Sequence, residues 1–262
     1  MEVGRASGGM RLRLSGRIAI CVGSDCYPVR SGKARVCLAL LGMEAGRPVS
    51  KSVLGQELWG DDQPRDADNA LQATISRTRR LLRECGVAER AIVSVPGGYC
   101  FDVDSANVDA LVFKAAVRRV LNSPNVPIEE CCRILVGWTE PFLMGVTGSA
   151  RCDAYARNLE QLRLDLRERI VLKQLMEGDV MSADHNTAEL VLERPLDERY
   201  CELRMISLYR RGRHAAALEH FNGFASTLGA EMGMVPGKRL YAVYDIVLND
   251  RGDGEAVDKL IA

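Results

Sequence analysis

The sequence predicts a mainly α-helical fold with a small β component, divided into two domains. Three observations lead to this prediction. Short segments with strand-like alternation occupy residues 10 to 29. Three helical patterns and a glycine-containing hairpin follow between residues 32 and 103. From about residue 108 onward, nearly every segment has the spacing of an amphipathic helix.

The first domain begins with a predicted antiparallel sheet, because the segments RLRLSG, IAICVG and CYPVR are separated by turn residues. Residues 32 to 45 predict a helix with one buried stripe, formed by the apolar residues at positions 36, 37, 40 and 41. A second helix is predicted after Ser50, which is a suitable N-cap, and the turn GDDQP ends it.

The third predicted helix contains NALQATISRTRRLL, residues 69 to 82, and begins near residues 65 to 67. At about 100° per residue, one stripe faces inward and consists of Leu71, Ile75, Thr78 and Leu82, with Thr74 and Leu81 on its flank. The opposite side is polar and carries several arginines. Its segment from Asn69 to Arg83 contains no acidic residue.

Residues 91 to 103, AIVSVPGGYCFDV, predict a hairpin that turns at Pro96-Gly97-Gly98. Three helices followed by a hairpin form the layout of a winged helix-turn-helix, in which the third helix enters the major groove of DNA. A basic helix face alone is more often simply solvated. Its combination with two preceding helices and a hairpin favours DNA binding.

Charge and cysteine usage limit the alternatives. Lysine plus arginine equal aspartate plus glutamate at 35 each, so any nucleic-acid footprint is a local patch. Residues 1 to 105 carry 15 basic and 12 acidic residues, a net charge of +3. The nine scattered cysteines and the absence of a signal segment or long apolar run predict a reduced, cytoplasmic chain without a membrane span. We interpret the cysteines as small buried apolar residues.

No motif supports an enzyme. The segment SGKAR lacks the glycine spacing and the serine or threonine of a phosphate-binding loop. The sequence contains neither GxSxG nor HExxH, and the three histidines lack metal-binding spacing. We therefore predict no catalytic residue, no metal and no cofactor.

The second half predicts paired helices with prolines in or beside the gaps between them. The segment LYRRGRHAAALEHF, residues 208 to 221, places tyrosine, glycine, small alanines and phenylalanine as in a tetratricopeptide helix pair. We therefore predict an all-α, tetratricopeptide-like second domain.

The segment from GKARVCLALL to IVSVPGGYCFDVD resembles the OmpR-type winged helix of the Streptomyces antibiotic regulatory proteins, above all in LWGDDQPRDADNALQATISRTRRLL. The second half resembles the bacterial transcriptional activation domain of the same family, including PFL at 141 to 143 and EMGMVPGKRLYAVYDIVL at 231 to 248. The expected domains are a disordered N-terminus (1–9), the winged helix (10–105), the activation domain (106–250) and a C-terminal tail (251–262).

The resemblance implies a transcriptional activator of secondary-metabolite genes that binds direct repeats in promoter DNA and recruits RNA polymerase holoenzyme. A domain with a net charge of only +3 would bind one site weakly, so a homodimer on neighbouring half-sites is expected. The alternative is a helical-repeat adaptor whose winged helix contacts protein.

The predicted DNA-binding residues fall into two groups. Base reading is expected from the third helix, at Asn69, Gln72, Ser76, Arg77 and Arg80, with Arg79 and Arg83 on its edge. Backbone or groove-edge contacts are expected from Lys33, Arg35, Gly97, Gly98 and Tyr99. The double glycine has a second interpretation, in which it only makes the turn.

Asp61 and Asp62 lie in the turn before the third helix, where acidic residues cannot favour phosphate. One interpretation is that they cap that helix or stabilise the turn. The other, which the resemblance supports, is that they contact a basic surface of RNA polymerase.

Overall fold

The computed structural model describes residues 9–87, 90–138 and 140–249. Nearly all of the predicted disordered N-terminus and the whole C-terminal tail lie outside this part of the chain. The chain divides into two compact units. One unit comprises residues up to 125 together with residues 133–163, and the other comprises residues 126–132 together with residues from 164 onward. The first unit therefore extends well beyond residue 105.

The first unit begins with the predicted antiparallel sheet, formed by β1 (Met10–Arg13), β2 (Ala19–Val22) and β3 (Asp25–Pro28) in that order. Its register places Arg11 opposite Cys21, and Cys21 opposite Cys26.

Cys21 and Cys26 form a disulfide, with their Cα atoms 4.1 Å apart. The expectation that every cysteine is a reduced, buried apolar residue is therefore wrong for this pair. Their separation of five residues does not reveal the pairing, because it arises from the register of the two strands.

Of the other cysteines, Cys132 is exposed and the rest are buried thiols. Burial raises the pKa of the Cys37 thiol to about 12, although its hydrogen bond with the Thr78 side chain acts in the opposite direction. Cys37 is therefore a packing residue and not a reactive thiolate.

Three helices follow: α1 (Gly32–Met43), α2 (Lys51–Trp59) and α3 (Ala67–Glu84). The prediction that α1 buries one stripe is wrong, because every residue from Val36 to Gly42 is buried. The helix is enclosed because α2, α3 and strands on other sides all contact it. Ser50 caps α2 as predicted, since its Oγ accepts a hydrogen bond from the Val53 amide at 3.3 Å.

The inward stripe of α3 is confirmed: Leu71, Thr74, Ile75, Thr78 and Leu82 are buried and Leu81 is partly buried. Its buried hydroxyls are satisfied within the helix. Thr74 Oγ1 donates to the Ala70 carbonyl at 2.9 Å, and Thr78 Oγ1 donates to the Thr74 carbonyl at 2.8 Å. The two threonines therefore enter the core without an unpaired polar group.

The hairpin consists of β5 (Ile92–Val95) and β6 (Gly98–Phe101). A short strand that the sequence analysis did not predict, β4 (Pro48–Ser50), pairs with β6 and completes a sheet of order β4-β6-β5. Three residues that begin with proline carry too little periodicity to indicate a strand.

Helix α4 (Asp109–Leu121) follows the hairpin. The Asp109 carboxylate accepts hydrogen bonds from the Leu14 amide at 2.7 Å, the Ser15 amide at 2.9 Å and the Ser15 hydroxyl at 2.7 Å. The segment 141–144 pairs with the same β1–β2 connection: the Gly16 amide donates to Pro141, and the Leu143 amide donates to Leu14. Residues beyond 105 thus complete the N-terminal sheet.

Helices α5 (Ile128–Val136) and α6 (Ala150–Glu177) come next. The second unit contains α7 (Val180–Glu193), α8 (Glu198–Arg210), α9 (His214–Met232) and α10 (Lys238–Leu248). Consecutive helices in this series contact one another. Tyr209, Ala217 and Phe221, three of the residues that indicated a tetratricopeptide-like pair, are buried in its core. The described helices include none that is long and apolar enough to cross a membrane.

Candidate nucleic-acid interface

The side of α3 opposite its buried stripe is polar and open. Its exposed side chains are those predicted to meet DNA: Asn69, Gln72, Ser76, Arg77, Arg80 and Arg83. They extend over more than three turns of the helix, on the side away from the buried stripe. A helix that presents arginine and glutamine to solvent in this way has the donors that read guanine and adenine in a major groove.

Two of these arginines have weak partners in the free protein. Arg80 Nε donates to Glu84 Oε1 at 2.8 Å, and both side chains are more than half exposed. Arg77 Nη2 approaches the Thr74 hydroxyl at 3.4 Å. An exposed i,i+4 ion pair contributes at most about 0.5 kcal/mol, so Arg80 can leave Glu84 at little cost.

Arg79 differs from its neighbours because it joins α3 to the hairpin. Its Nε donates to the Ile92 carbonyl at 2.9 Å, and its Nη2 donates to the Ser94 hydroxyl at 3.0 Å. The guanidinium also lies over the Tyr99 ring, 5.9 Å from the centroid. Tyr99 itself is only 5% exposed and has little surface for a direct DNA contact. Both residues therefore hold the hairpin in place beside α3.

The two glycines of the hairpin have different roles. Gly97 has φ +75°, which the turn requires, and its carbonyl accepts a hydrogen bond from the Lys51 amide at 2.9 Å. Gly98 is buried, and a Cβ there would lie 2.2 Å from the Val49 carbonyl oxygen. Gly98 therefore permits the close approach of β4 and β6, whereas the Pro96-Gly97 tip is exposed.

Lys33 and Arg35 on α1 do not share one surface role. Lys33 is exposed, with its Nζ 5.0 Å from the centre of the Trp59 ring at the end of α2. Arg35 is partly buried, and its Nη1 lies 2.6 Å from the position that a Cβ on Gly145 would occupy. Arg35 therefore packs against the 144–146 segment.

A groove of about 350 Å3 separates α3 from the hairpin. Gln72 and Ser76 line it from the helix, and Ser94 and Val95 line it from the hairpin. Lys51, which is not among the residues predicted from the sequence, lies in the same lining and forms an ion pair with Asp68 at 3.4 Å. Only its position directly after the N-cap of α2 could have indicated a phosphate contact at Lys51, since helix N-termini bind phosphate.

The turn between α2 and α3 leaves Asp61 and Asp62 exposed. The N-cap of α3 is Asp66, whose Oδ1 accepts a hydrogen bond from the Asn69 amide at 3.0 Å. Gln63 holds the turn, because its Nε2 donates to the Gly55 carbonyl at 3.3 Å and the Gly60 carbonyl at 3.1 Å. The interpretation that Asp61 or Asp62 caps α3 is therefore wrong.

Two family models match the chain. One is "Transcriptional regulatory protein, C terminal", over residues 30–101, and the other is "Bacterial transcriptional activator domain", over residues 103–248. Transcriptional regulator RedD of Streptomyces coelicolor is 34% identical over 240 residues, which cover 89% of this chain and 69% of RedD. Regulatory protein DnrI of Streptomyces peucetius is 29% identical over 245 residues, which cover 86% of this chain and 87% of DnrI.

Regulatory protein AfsR of Streptomyces griseus is 28% identical over 251 residues, which cover 94% of this chain but only 25% of AfsR. A solved structure of Mycobacterium tuberculosis EmbR, in complex with a low affinity phosphopeptide, superposes with a TM-score of 0.83. The superposition covers 97% of this chain and 69% of EmbR at 21% identity. This likeness confirms the predicted fold, a winged helix followed by a helical domain.

Proposed function

This chain belongs to the Streptomyces antibiotic regulatory protein family, a family of transcriptional regulators and not of enzymes, and we propose that it activates transcription by binding promoter DNA. The exposed polar face of α3 supports DNA binding most directly, because its side chains are open to solvent while the hairpin beside it is fixed by Arg79. We place the protein in the cytoplasm, and assign antibiotic or other secondary-metabolite genes as its targets.

In this proposal α3 enters the major groove and the tip of the hairpin lies along the backbone. Gln72, Ser76, Arg77 and Arg80 read bases, whereas Arg83 and Lys51 contact phosphates. Arg79 and Tyr99 act indirectly by positioning the hairpin, and Arg35 supports α1. Asn69 lies at the edge of this footprint, because its side-chain amide donates to the Asp66 carboxylate at 2.5 Å.

Salt dependence tests DNA binding against the adaptor alternative. Binding of the purified chain to its protected promoter sequence is expected to weaken steeply with salt, because each neutralised phosphate releases counterions. Footprinting first locates the sequence, and titrations at several salt concentrations then give the slope. If binding to every promoter fragment is absent while protein partners are retained, the adaptor function replaces this proposal.

Replacing Arg80 with alanine is expected to weaken operator binding by about 1–3 kcal/mol and to change binding to random DNA much less. The reason is that a bidentate base contact exists only on the correct sequence. Fluorescence anisotropy on operator and scrambled duplexes measures both losses. Arg213→Ala, which removes an exposed arginine of the second unit, is the control. Equal losses on the two duplexes would reassign Arg80 to a phosphate.

We further propose that two protomers bind direct repeats about one helical turn apart, since one weakly basic winged helix gives limited affinity. A duplex with both half-sites is expected to bind two protomers cooperatively. Halving the site, or inserting five base pairs between the repeats, removes this cooperativity, which gel-shift titration measures. Independent binding to the two half-sites would contradict the dimer.

RNA polymerase holoenzyme is the proposed second partner, contacted through Asp61 and Asp62 and through the helical part of the chain. The exposed turn supports this assignment, because its side-chain hydrogen bonds are made by Gln63 and Asp66, and both aspartates are exposed. Complementary charge across such a contact aids recruitment.

The double variant Asp61→Ala, Asp62→Ala is expected to reduce transcription in a purified system severalfold. Operator affinity and the free energy of unfolding should change by less than about 0.5 kcal/mol, as is usual for exposed positions. In vitro transcription, anisotropy and urea unfolding give these quantities. Asp66→Ala, which removes the cap of α3, is the contrasting variant and should lose about 1 kcal/mol of stability. Full transcription by the double variant would refute the contact.

A further inference from the structure

A cavity of about 530 Å3 lies within the first unit, away from the α3 face. Its floor comes from the N-terminal sheet, and its walls come from Val112, Phe113 and Ala116 of α4 and from Ile134 and Gly137. This volume is typical of pockets that bind small organic molecules, and its walls are largely apolar.

The register of the sheet explains the chemistry of the floor. Directly paired residues of antiparallel strands point to the same face, so Arg11, Cys21 and Cys26 form one row across the three strands. Arg13 lies two residues from Arg11 and therefore projects on the same side. The floor thus combines a disulfide with two guanidinium groups, and all four residues line the cavity.

Both arginine side chains are exposed at this cavity, and within the described part of the chain neither has a hydrogen bond or ion pair. The acid in the lining, Asp109, is already occupied by the amides of Leu14, Ser15 and Ala110 and by the Ser15 hydroxyl. Beside an apolar wall, the cavity therefore offers two guanidinium groups without a partner among the described residues, whereas its carboxylate already accepts hydrogen bonds from neighbouring residues.

We propose that this cavity binds an amphipathic organic anion, an apolar body that carries one carboxylate or a similar headgroup. The apolar part occupies the space beside Val112, Phe113 and Ala116, and the headgroup accepts hydrogen bonds from Arg11 and Arg13. A neutral or cationic molecule of the same size would leave both guanidinium groups without an anionic acceptor. This inference is independent of DNA binding.

The fluorescent anion 8-anilinonaphthalene-1-sulfonate is the first probe, titrated into the folded full-length chain. It is expected to bind with one-to-one stoichiometry and to be displaced by dodecanoate below its micellar concentration. Dodecyltrimethylammonium, which has the same chain length and the opposite charge, should displace it poorly. Trp138 gives a second signal, because its ring centroid is 4.8 Å from that of Phe113 in the cavity wall.

The double variant Arg11→Gln, Arg13→Gln is expected to bind the probe and dodecanoate at least about tenfold more weakly, since it keeps a polar side chain at each position and removes both charges. Arg30→Gln, an exposed arginine outside the lining, is the matched control and should bind normally. Ala116→Trp fills the cavity and should abolish binding.

Thermal unfolding shows whether each variant is folded, and bound dodecanoate should raise the midpoint of the parent chain. Unchanged affinity in the arginine double variant would overturn the proposal, as would equal displacement by the cationic detergent. If Ala116→Trp fails to fold, the arginine variant still decides, because both of its substitutions are at exposed side chains.

Discussion

Replacing Asp109 with alanine is expected to lower the free energy of unfolding by about 3 kcal/mol. The carboxylate accepts the amides of Leu14 and Ser15 and the Ser15 hydroxyl, at 2.7 to 2.9 Å. Without the carboxylate, the amides in the turn between β1 and β2 lose their acceptor, and no other described residue provides one. Loss of a charged acceptor from partly buried donors costs more than an ordinary surface hydrogen bond.

Urea unfolding followed by circular dichroism measures this effect, and Asp61→Ala serves as the control because Asp61 is exposed. The same hydrogen bonds predict that a fragment ending at residue 105 will not fold stably. Such a fragment lacks Asp109 and also Pro141 and Leu143, whose backbone groups pair with the β1–β2 connection. A loss below about 1 kcal/mol for Asp109→Ala would show that solvent replaces the carboxylate.

Replacing Gly98 with alanine is expected to destabilise the protein by about 3 kcal/mol and to weaken DNA binding through displacement of the hairpin. The added Cβ would lie 2.2 Å from the Val49 carbonyl oxygen and 3.1 Å from the Ser50 Cα, so the β4 backbone must move. Backbone cannot rotate away as the end of a long side chain does.

Gly97→Ala is the matched control in the same turn. No neighbouring atom lies within 4 Å of a Cβ at Gly97, and its cost is the positive φ of +75°, about 1 kcal/mol. Urea unfolding of both variants compares the cost of steric overlap at Gly98 with the cost of a positive φ at Gly97. Equal losses for the two variants would show that the β4–β6 contact relaxes easily.

The sequence predicts α3 well because a long amphipathic helix repeats its pattern over many turns. Leu71, Ile75 and Leu82 are buried where the periodicity places them. The same reasoning gives only one buried stripe for α1, because periodicity cannot show that neighbours enclose a helix on every side. Periodicity also cannot reveal β4, whose three residues are too few to alternate.

The candidate site likewise has some features that the sequence predicts and others that it does not. Exposure of Gln72, Ser76, Arg77 and Arg80 follows from helical geometry and was predictable. The direction of Arg79 was not, because its partners Ile92 and Ser94 are more than ten residues away along the chain. The capping of α3 by Asp66 instead of Asp61 or Asp62 follows from a helix that begins at Ala67, because the N-cap is the residue directly before the first helical position.

The contrast between α1 and α3 has a consequence for how such a regulator can diversify. A helix enclosed on every side, as α1 is from Val36 to Gly42, accepts few substitutions without repacking. On α3, side chains at exposed positions can be exchanged at about 0.5 kcal/mol or less while the buried stripe is kept. Under the proposed DNA-binding function, a copy made by gene duplication would therefore acquire a new target sequence through a few changes at Gln72, Ser76, Arg77 and Arg80, with its fold intact.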